Sequence, residues 1–79
     1  MTLYQFNMLD EMEQMEAIWD AVKLAERKDE TYHYNLYQID AFYVEEKIHI
    51  AHNVRQEFKS FKSMDLLGPY LGQIELPKI

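Results

Sequence analysis

Three histidines and a pair of carboxylates are the residues of this sequence whose types could support chemistry. His33, His49 and His52 carry imidazoles that could bind a metal ion, and two residues separate the last two. On a helix His49 and His52 would face one way, whereas on a strand they would point apart. Zinc requires three or four ligands, so Glu45 or Glu46 would have to complete the set. Because no closed ligand set is evident, surface histidines are the favoured interpretation, and we expect no metal and no cofactor.

Glu46 is the carboxylate whose position is most suggestive of acid–base catalysis. It falls on the apolar side of an alternating segment, between Val44 and Ile48, where loss of water would raise the pKa of its side chain. Such carboxylates mark active sites, but a structural ion pair or a bulge that turns the side chain outward is also consistent with this position. No serine stands in a nucleophile motif, and no glycine-rich phosphate loop is present. We therefore predict no catalytic residue, and a small metal-dependent enzyme that uses Glu46 with His49 or His52 is the last of three hypotheses.

Length and charge exclude several other classes of function. The 79 residues make one small domain, 1–79, and contain no cysteine, so no disulfide can form. The formal net charge of −6 argues against unaided binding to nucleic acid or to an anionic membrane. No apolar run reaches the roughly 20 residues of a membrane span, and no signal peptide is recognisable. We expect a cytoplasmic protein that binds another protein or itself.

Surplus aromatic side chains point to an interaction surface. The chain has six tyrosines, four phenylalanines and one tryptophan. Four tyrosines fall in predicted strands and exceed what one side of a small sheet can bury: Tyr32, Tyr34, Tyr37 and Tyr43. Tyrosine and methionine are enriched at protein interfaces. The leading hypothesis is therefore a non-catalytic interaction module that forms a homo-oligomer through this tyrosine-rich sheet, and the alternative is that the tyrosines only cover the core.

An acidic N-terminal segment suggests a different partner. Through Val22 the chain carries five acidic residues and no basic ones. Two of these acidic residues, Glu13 and Glu16, would suit an acidic inhibitor or immunity-type protein that binds a basic partner through a helix at 10–20. A solvated helix surface with no partner is the alternative interpretation.

An amphipathic helix and a sheet must position these residues. Asn7 is a suitable helix N-cap, and apolar residues then recur at steps of three and four. These residues are Met8, Met12, Met15, Trp19 and Val22, and Leu9 and Ile18 widen the same stripe. The spacing predicts a helix that runs at least to Trp19 and packs its methionine–tryptophan stripe on a sheet. Residues 21–27 are either the end of this helix or a first strand.

Two alternating segments, 32–40 and 41–50, predict an antiparallel pair of strands with one buried face. The join near Asp40–Ala41 looks too tight for a standard two-residue glycine turn, so we expect a bulge or a turn elsewhere. Residues 53–62 fit a helix or a strand, and a strand is favoured because a two-stranded hairpin is marginal alone.

The C-terminal part of the chain predicts a final helix. Pro69 lacks a backbone N–H and is accommodated best at the first position of a helix, so a short turn at 64–67 and a helix from Pro69 are expected. The fold class is α+β, with an N-terminal amphipathic helix packed on a three- or four-stranded antiparallel meander and a short C-terminal helix.

The segment LYQIDAFYVE at 36–45 resembles a group of short uncharacterised bacterial proteins that share an LYQID-x-FYVE core. The later segments N-x-x-x-x-F-x-S-F at 53–61 and PYL at 69–71 are similar to the same group. The resemblance covers most of the chain and implies an α-helix, a β-meander and a closing helix. Glycine often follows the tryptophan in that group, which favours a strand at 21–27. The resemblance implies no function and no site.

Overall fold

A computed structural model describes residues 1–70, with positions 55, 56, 64 and 65 described by their backbone alone. Two helices, α1 (Leu3–Met8) and α2 (Glu11–Trp19), precede four strands, β1 (Val22–Lys28), β2 (Tyr32–Ile39), β3 (Phe42–His49) and β4 (Val54–Phe61), and a 3₁₀ helix (Met64–Tyr70) follows them. The strands form an antiparallel meander in the order β1-β2-β3-β4. The α+β prediction is confirmed, and the two segments left open in the sequence are both strands.

Two capping boxes divide the N-terminal region into two helices. The Thr2 hydroxyl accepts a hydrogen bond from the Gln5 backbone N–H at 3.1 Å, and the Gln5 amide oxygen accepts one from the Thr2 N–H at 2.8 Å. Asp10 and Glu13 make the same reciprocal pair at the start of α2. Each box satisfies backbone donors that the first helical turn leaves without partners. The prediction of a single helix that begins at Asn7 is therefore wrong.

The helices cover one face of the sheet, here called the α face. Phe6 of α1 is fully buried, and its ring meets the rings of Phe42 and Phe58 edge-on, at centroid distances of 5.8 and 6.3 Å. The buried residues of this cluster are Phe6, Ile18, Phe42 and Val44. The side chain of Asn7 also ties α1 to the sheet, because its oxygen accepts a hydrogen bond from the Ser60 hydroxyl at 2.5 Å.

The methionines and the tryptophan of the predicted stripe do not enter this core. Met8, Met12 and Trp19 are 86, 71 and 74% exposed, and Met15 is half-buried. The break between the helices changes their phase, so α2 packs on the sheet mainly through Ile18, its one buried residue. The prediction that the stripe packs on the sheet therefore holds for Ile18, which belongs to it, but is wrong for Met8, Met12 and Trp19, which face solvent.

The opposite face of the sheet, here called the 3₁₀ face, is covered at one end by the 3₁₀ helix. Leu67 and Tyr70 are fully buried, and their spacing of three aligns them on one side of such a helix. The buried cluster contains Ala25, Leu36, Phe61, Leu67 and Tyr70. Pro69 lies inside the 3₁₀ helix, so the prediction of a helix that begins there is wrong. The predicted continuation past Tyr70 lies outside the described residues.

The strand register is interrupted once in each outer pair. Leu24 is an extra residue of β1 opposite β2, and position 56 is an extra residue of β4 opposite β3. The central pair is regular, and Ile39 pairs directly with Phe42. Asp40 and Ala41 therefore form the two-residue turn itself, and the expectation of a bulge or of a turn at another position is wrong. Asp40 supplies the left-handed conformation, φ 49°, that aspartate adopts more readily than most residues.

Candidate functional site

The outer side of α2 carries a groove lined by apolar side chains. Met12, Met15 and Trp19 lie three and four residues apart, so they share one side of the helix. Together with Glu11 and Glu16 they line an open groove of about 420 Å³, here called the acidic groove. Trp19 is the only tryptophan of the chain and is mostly exposed. Tryptophan is highly buried on average, so an exposed one beside two methionines marks a candidate binding surface.

Two carboxylates, those of Glu11 and Glu16, line this groove, and the sequence segment that forms it contains no basic residue. The acidic residues of the segment are Asp10, Glu11, Glu13, Glu16 and Asp20, and the first basic residue of the chain is Lys23. Glu11 and Glu13 lie in the first turn of α2, where the helix dipole stabilises negative charge. Both predicted site residues, Glu13 and Glu16, are exposed on α2, and Glu16 lines the groove. The groove therefore presents an apolar strip in a negative electrostatic field.

The four predicted tyrosines do not share one face of the sheet. Tyr34 and Tyr43 pack against the cluster on the 3₁₀ face, whereas Tyr37 packs against the cluster on the α face. Tyr32 lies beside Tyr34, with 6.1 Å between ring centroids. All four side chains are half-buried. The tyrosine-rich surface is therefore formed by three of the four residues.

Cations of the same sheet cover two of these tyrosine rings. The Arg27 guanidinium carbon lies 3.8 Å from the Tyr34 ring centroid, and the Lys47 ammonium lies 4.1 Å from that of Tyr32. Such contacts attract a cation to the ring face. The exposed part of the 3₁₀ face is consequently charged and aromatic rather than simply apolar.

Glu45 joins the 3₁₀ helix to the sheet. Its Oε2 accepts a hydrogen bond from the Tyr70 hydroxyl at 2.5 Å, and Nη2 of Arg27 lies 3.7 Å from the same oxygen. Burial, reinforced by the hydrogen bond and charge of Glu45, raises the pKa of Tyr70. This arrangement holds a helix in place, and nothing in the local sequence pattern around Tyr70 indicated it.

Glu46 and the two neighbouring histidines lie on different sides of the sheet. Glu46 is half-buried on the α face, where it accepts hydrogen bonds from Asn35 Nδ2 at 3.1 Å and from the Tyr37 hydroxyl at 3.5 Å. His49 lies three residues further along β3, so its side chain points to the other face. His52 follows in the next turn, and its ring centroid is 4.6 Å from that of His49. The structure therefore does not bring Glu46 together with either histidine.

His33 stands apart from the other histidines, near the edge of the sheet. Its Nε2 lies 3.2 Å from Oε2 of Glu26, which also accepts a hydrogen bond from Lys23 Nζ at 2.9 Å. Lys23 first, and then His33, lower the pKa of Glu26. Among the residues that the structure describes, no three histidine, aspartate or glutamate side chains are grouped to hold a metal ion.

Comparison with known proteins assigns no role to the acidic groove. Within residues 1–70, no helix combines the length and the apolar character required to cross a bilayer. The resemblance of segment 36–45 to the bacterial group stays a prediction. No protein-family model, curated protein or solved structure matches this chain.

Proposed function

We propose that this protein is a non-catalytic interaction module whose acidic groove binds a basic region of a partner protein, in the manner of an acidic inhibitor. The observation that carries the proposal is the exposure of Trp19 in a groove with Met12 and Met15. Tryptophan anchors are frequent hot spots of protein interfaces, and methionine adapts its shape to different partners.

The free energy available from apolar burial indicates that such a partner must supply charge as well as apolar surface. Full burial of a large apolar side chain contributes about 1.5–3 kcal/mol, so Met12 and Trp19 together contribute about 3–6 kcal/mol. A micromolar complex requires about 8 kcal/mol after the entropic cost of association. The difference has to come from the other contacts at the interface. Lysine and arginine side chains facing the carboxylates of α2 would provide them and would also accelerate encounter.

The same charges disfavour a second copy of the chain in this groove. Two α2 helices packed groove to groove would bring Glu11 and Glu16 of one copy close to the same residues of the other. Like charges placed opposite one another at an interface cost several kcal/mol. A basic partner is therefore the occupant that charge complementarity favours.

Self-association through the 3₁₀ face is a second candidate function. It is favoured by the three half-buried tyrosines on this face, Tyr32, Tyr34 and Tyr43. Tyrosine is enriched in such interfaces. Analytical ultracentrifugation at micromolar concentration tests it, because a dimer is expected and a monomer throughout would exclude it.

The first proposal can be tested with a tryptophan-free peptide of lysine and leucine, titrated while Trp19 fluorescence is recorded. We expect a blue shift of the emission on binding and weaker binding at high salt. The double variant Glu13→Gln, Glu16→Lys should weaken binding at least tenfold, since glutamine can still complete the capping box while the charge is lost. Glu30→Lys makes a charge reversal outside α2 and should change affinity less than twofold. No binding, or equal binding by the double variant, would exclude the proposal.

A further inference from the structure

We infer that the segment of the partner that binds in the acidic groove is an amphipathic helix. Its apolar stripe is about two turns long and has basic residues on both sides. This inference rests on the proposed function and concerns the shape of the partner. Three features of α2 support it: its place over the sheet, the length of its apolar strip and the arrangement of its charges.

The place of α2 favours a helical partner over an extended one. An extended peptide binds most readily where a sheet edge supplies backbone hydrogen bonds. α2 packs over β2, an inner strand of the meander, and offers no sheet edge to which an extended segment could add. An extended segment in the acidic groove would therefore leave its N–H and C=O groups without protein partners, and excluding water from them is costly. A helix satisfies these groups internally, so only side chains have to match.

The length of the apolar strip sets the length of the partner's stripe. Met12 and Trp19 are seven positions apart, which corresponds to about 10.5 Å along a helix at 1.5 Å per residue. Two turns of a partner helix span nearly the same distance. Apolar side chains at positions i, i+3 or i+4, and i+7 of the partner would then meet Met12, Met15 and Trp19.

The charges of the groove specify what flanks that stripe. Glu11 and Glu16 both line the groove together with its apolar residues. A partner helix with lysine or arginine beside its apolar stripe would face these carboxylates. An amphipathic helix with acidic flanks would be repelled, and this repulsion provides selectivity that apolar contact alone does not.

The experiment uses three 14-residue peptides without tryptophan and the full chain, with Trp19 fluorescence as the readout. Two peptides have the same lysine and leucine composition, one with leucines at helical spacing and the other with strict alternation. The third keeps helical spacing but carries glutamate in place of lysine. We expect the helical lysine peptide to bind at least tenfold more tightly than the alternating one, and the glutamate peptide not to bind.

The outcomes separate the inference from the proposed function. Equal or tighter binding of the alternating peptide would overturn the helical inference and leave the proposed function intact. Failure of both lysine peptides would refute the proposed function itself. Met12→Ser should weaken binding of the helical peptide about tenfold, whereas Met8→Ser, which changes a still more exposed methionine in α1, should change affinity less than twofold. An unchanged affinity of Met12→Ser would also overturn the inference.

Discussion

Replacing Tyr70 with phenylalanine removes a single oxygen from the contact between the 3₁₀ helix and the sheet. The ring of Tyr70 is fully buried and would keep its packing in the variant. The lost interaction is the 2.5 Å hydrogen bond to Glu45. Glu45 would retain only the Arg27 guanidinium, at 3.7 Å, among the contacts described above for its Oε2. The substitution therefore isolates one hydrogen bond with a charged acceptor.

The expected loss of stability follows from the type of bond. A hydrogen bond to a charged group contributes about 1.5–3 kcal/mol to the free energy of unfolding. We expect Tyr70→Phe to lower that free energy by about 2 kcal/mol. A domain of this length loses roughly 4–8 °C in Tm for each kcal/mol, so Tm should fall by roughly 8–16 °C. Urea denaturation followed by circular dichroism should show a lower midpoint with an unchanged slope.

Tyr34→Phe provides the matched control. The Tyr34 hydroxyl lies 3.4 Å from Asp29 Oδ2 at the surface, which is too long for a strong hydrogen bond. Its removal should cost less than about 0.5 kcal/mol. If Tyr70→Phe were as stable as this control, or if a double-mutant cycle with Glu45→Gln gave no coupling, the assigned role of Glu45 would be refuted.

Three further predictions concern the core and the response to pH. Phe6→Ala should lower the free energy of unfolding by about 3–5 kcal/mol, whereas the exposed Met8→Ala should change it by less than about 0.5 kcal/mol; equal effects in urea denaturation would contradict the assigned core. The raised pKa of Tyr70 means that the folded state retains this proton above the ordinary value of 10.0, so stability should be complete below pH 10.0 and fall as pH rises through the folded pKa. The denaturation midpoint of the parent protein should fall as pH rises above 10.0, and the midpoint of Tyr70→Phe should fall less. An equally large fall in both proteins would contradict this account. The backbone N–H of Tyr32 lowers the pKa of Asp29, so its contribution should be present above pH 3.8 and disappear as pH falls through the folded pKa. Asp29→Ala should flatten this acid dependence in thermal melts, and an unchanged slope would exclude Asp29 as its source.

The strands could largely be predicted from the sequence, whereas the orientation of the helices could not. Alternation between apolar and polar residues indicates β2 and β3, because a side chain in a strand faces one side of the sheet or the other. The spacing of Met12, Met15 and Trp19 shows that they share a side of α2, but spacing alone does not determine which side meets the sheet. That choice depends on the docking of Phe6 and on the break between the helices.

A local signal for that break was nevertheless present. Asp10 and Glu13 have the spacing of a capping box, as do Thr2 and Gln5, and either pair predicts a new helix start. The steps of three and four that continue across Asp10 obscure this signal. The contact of Tyr70 with Glu45 has no comparable sequence signal, because it joins residues that are 25 positions apart.

The extra residues in β1 and β4 have a consequence for how this protein behaves when crowded. Both lie on the outermost strands, where an uninterrupted row of backbone groups would otherwise invite a neighbouring chain to pair. An extra residue of this kind bends its strand, so the backbone donors and acceptors no longer match those of a straight strand from another molecule. Both edges of the sheet are therefore poorly suited to pairing with a neighbouring molecule, even though α2 exposes apolar side chains.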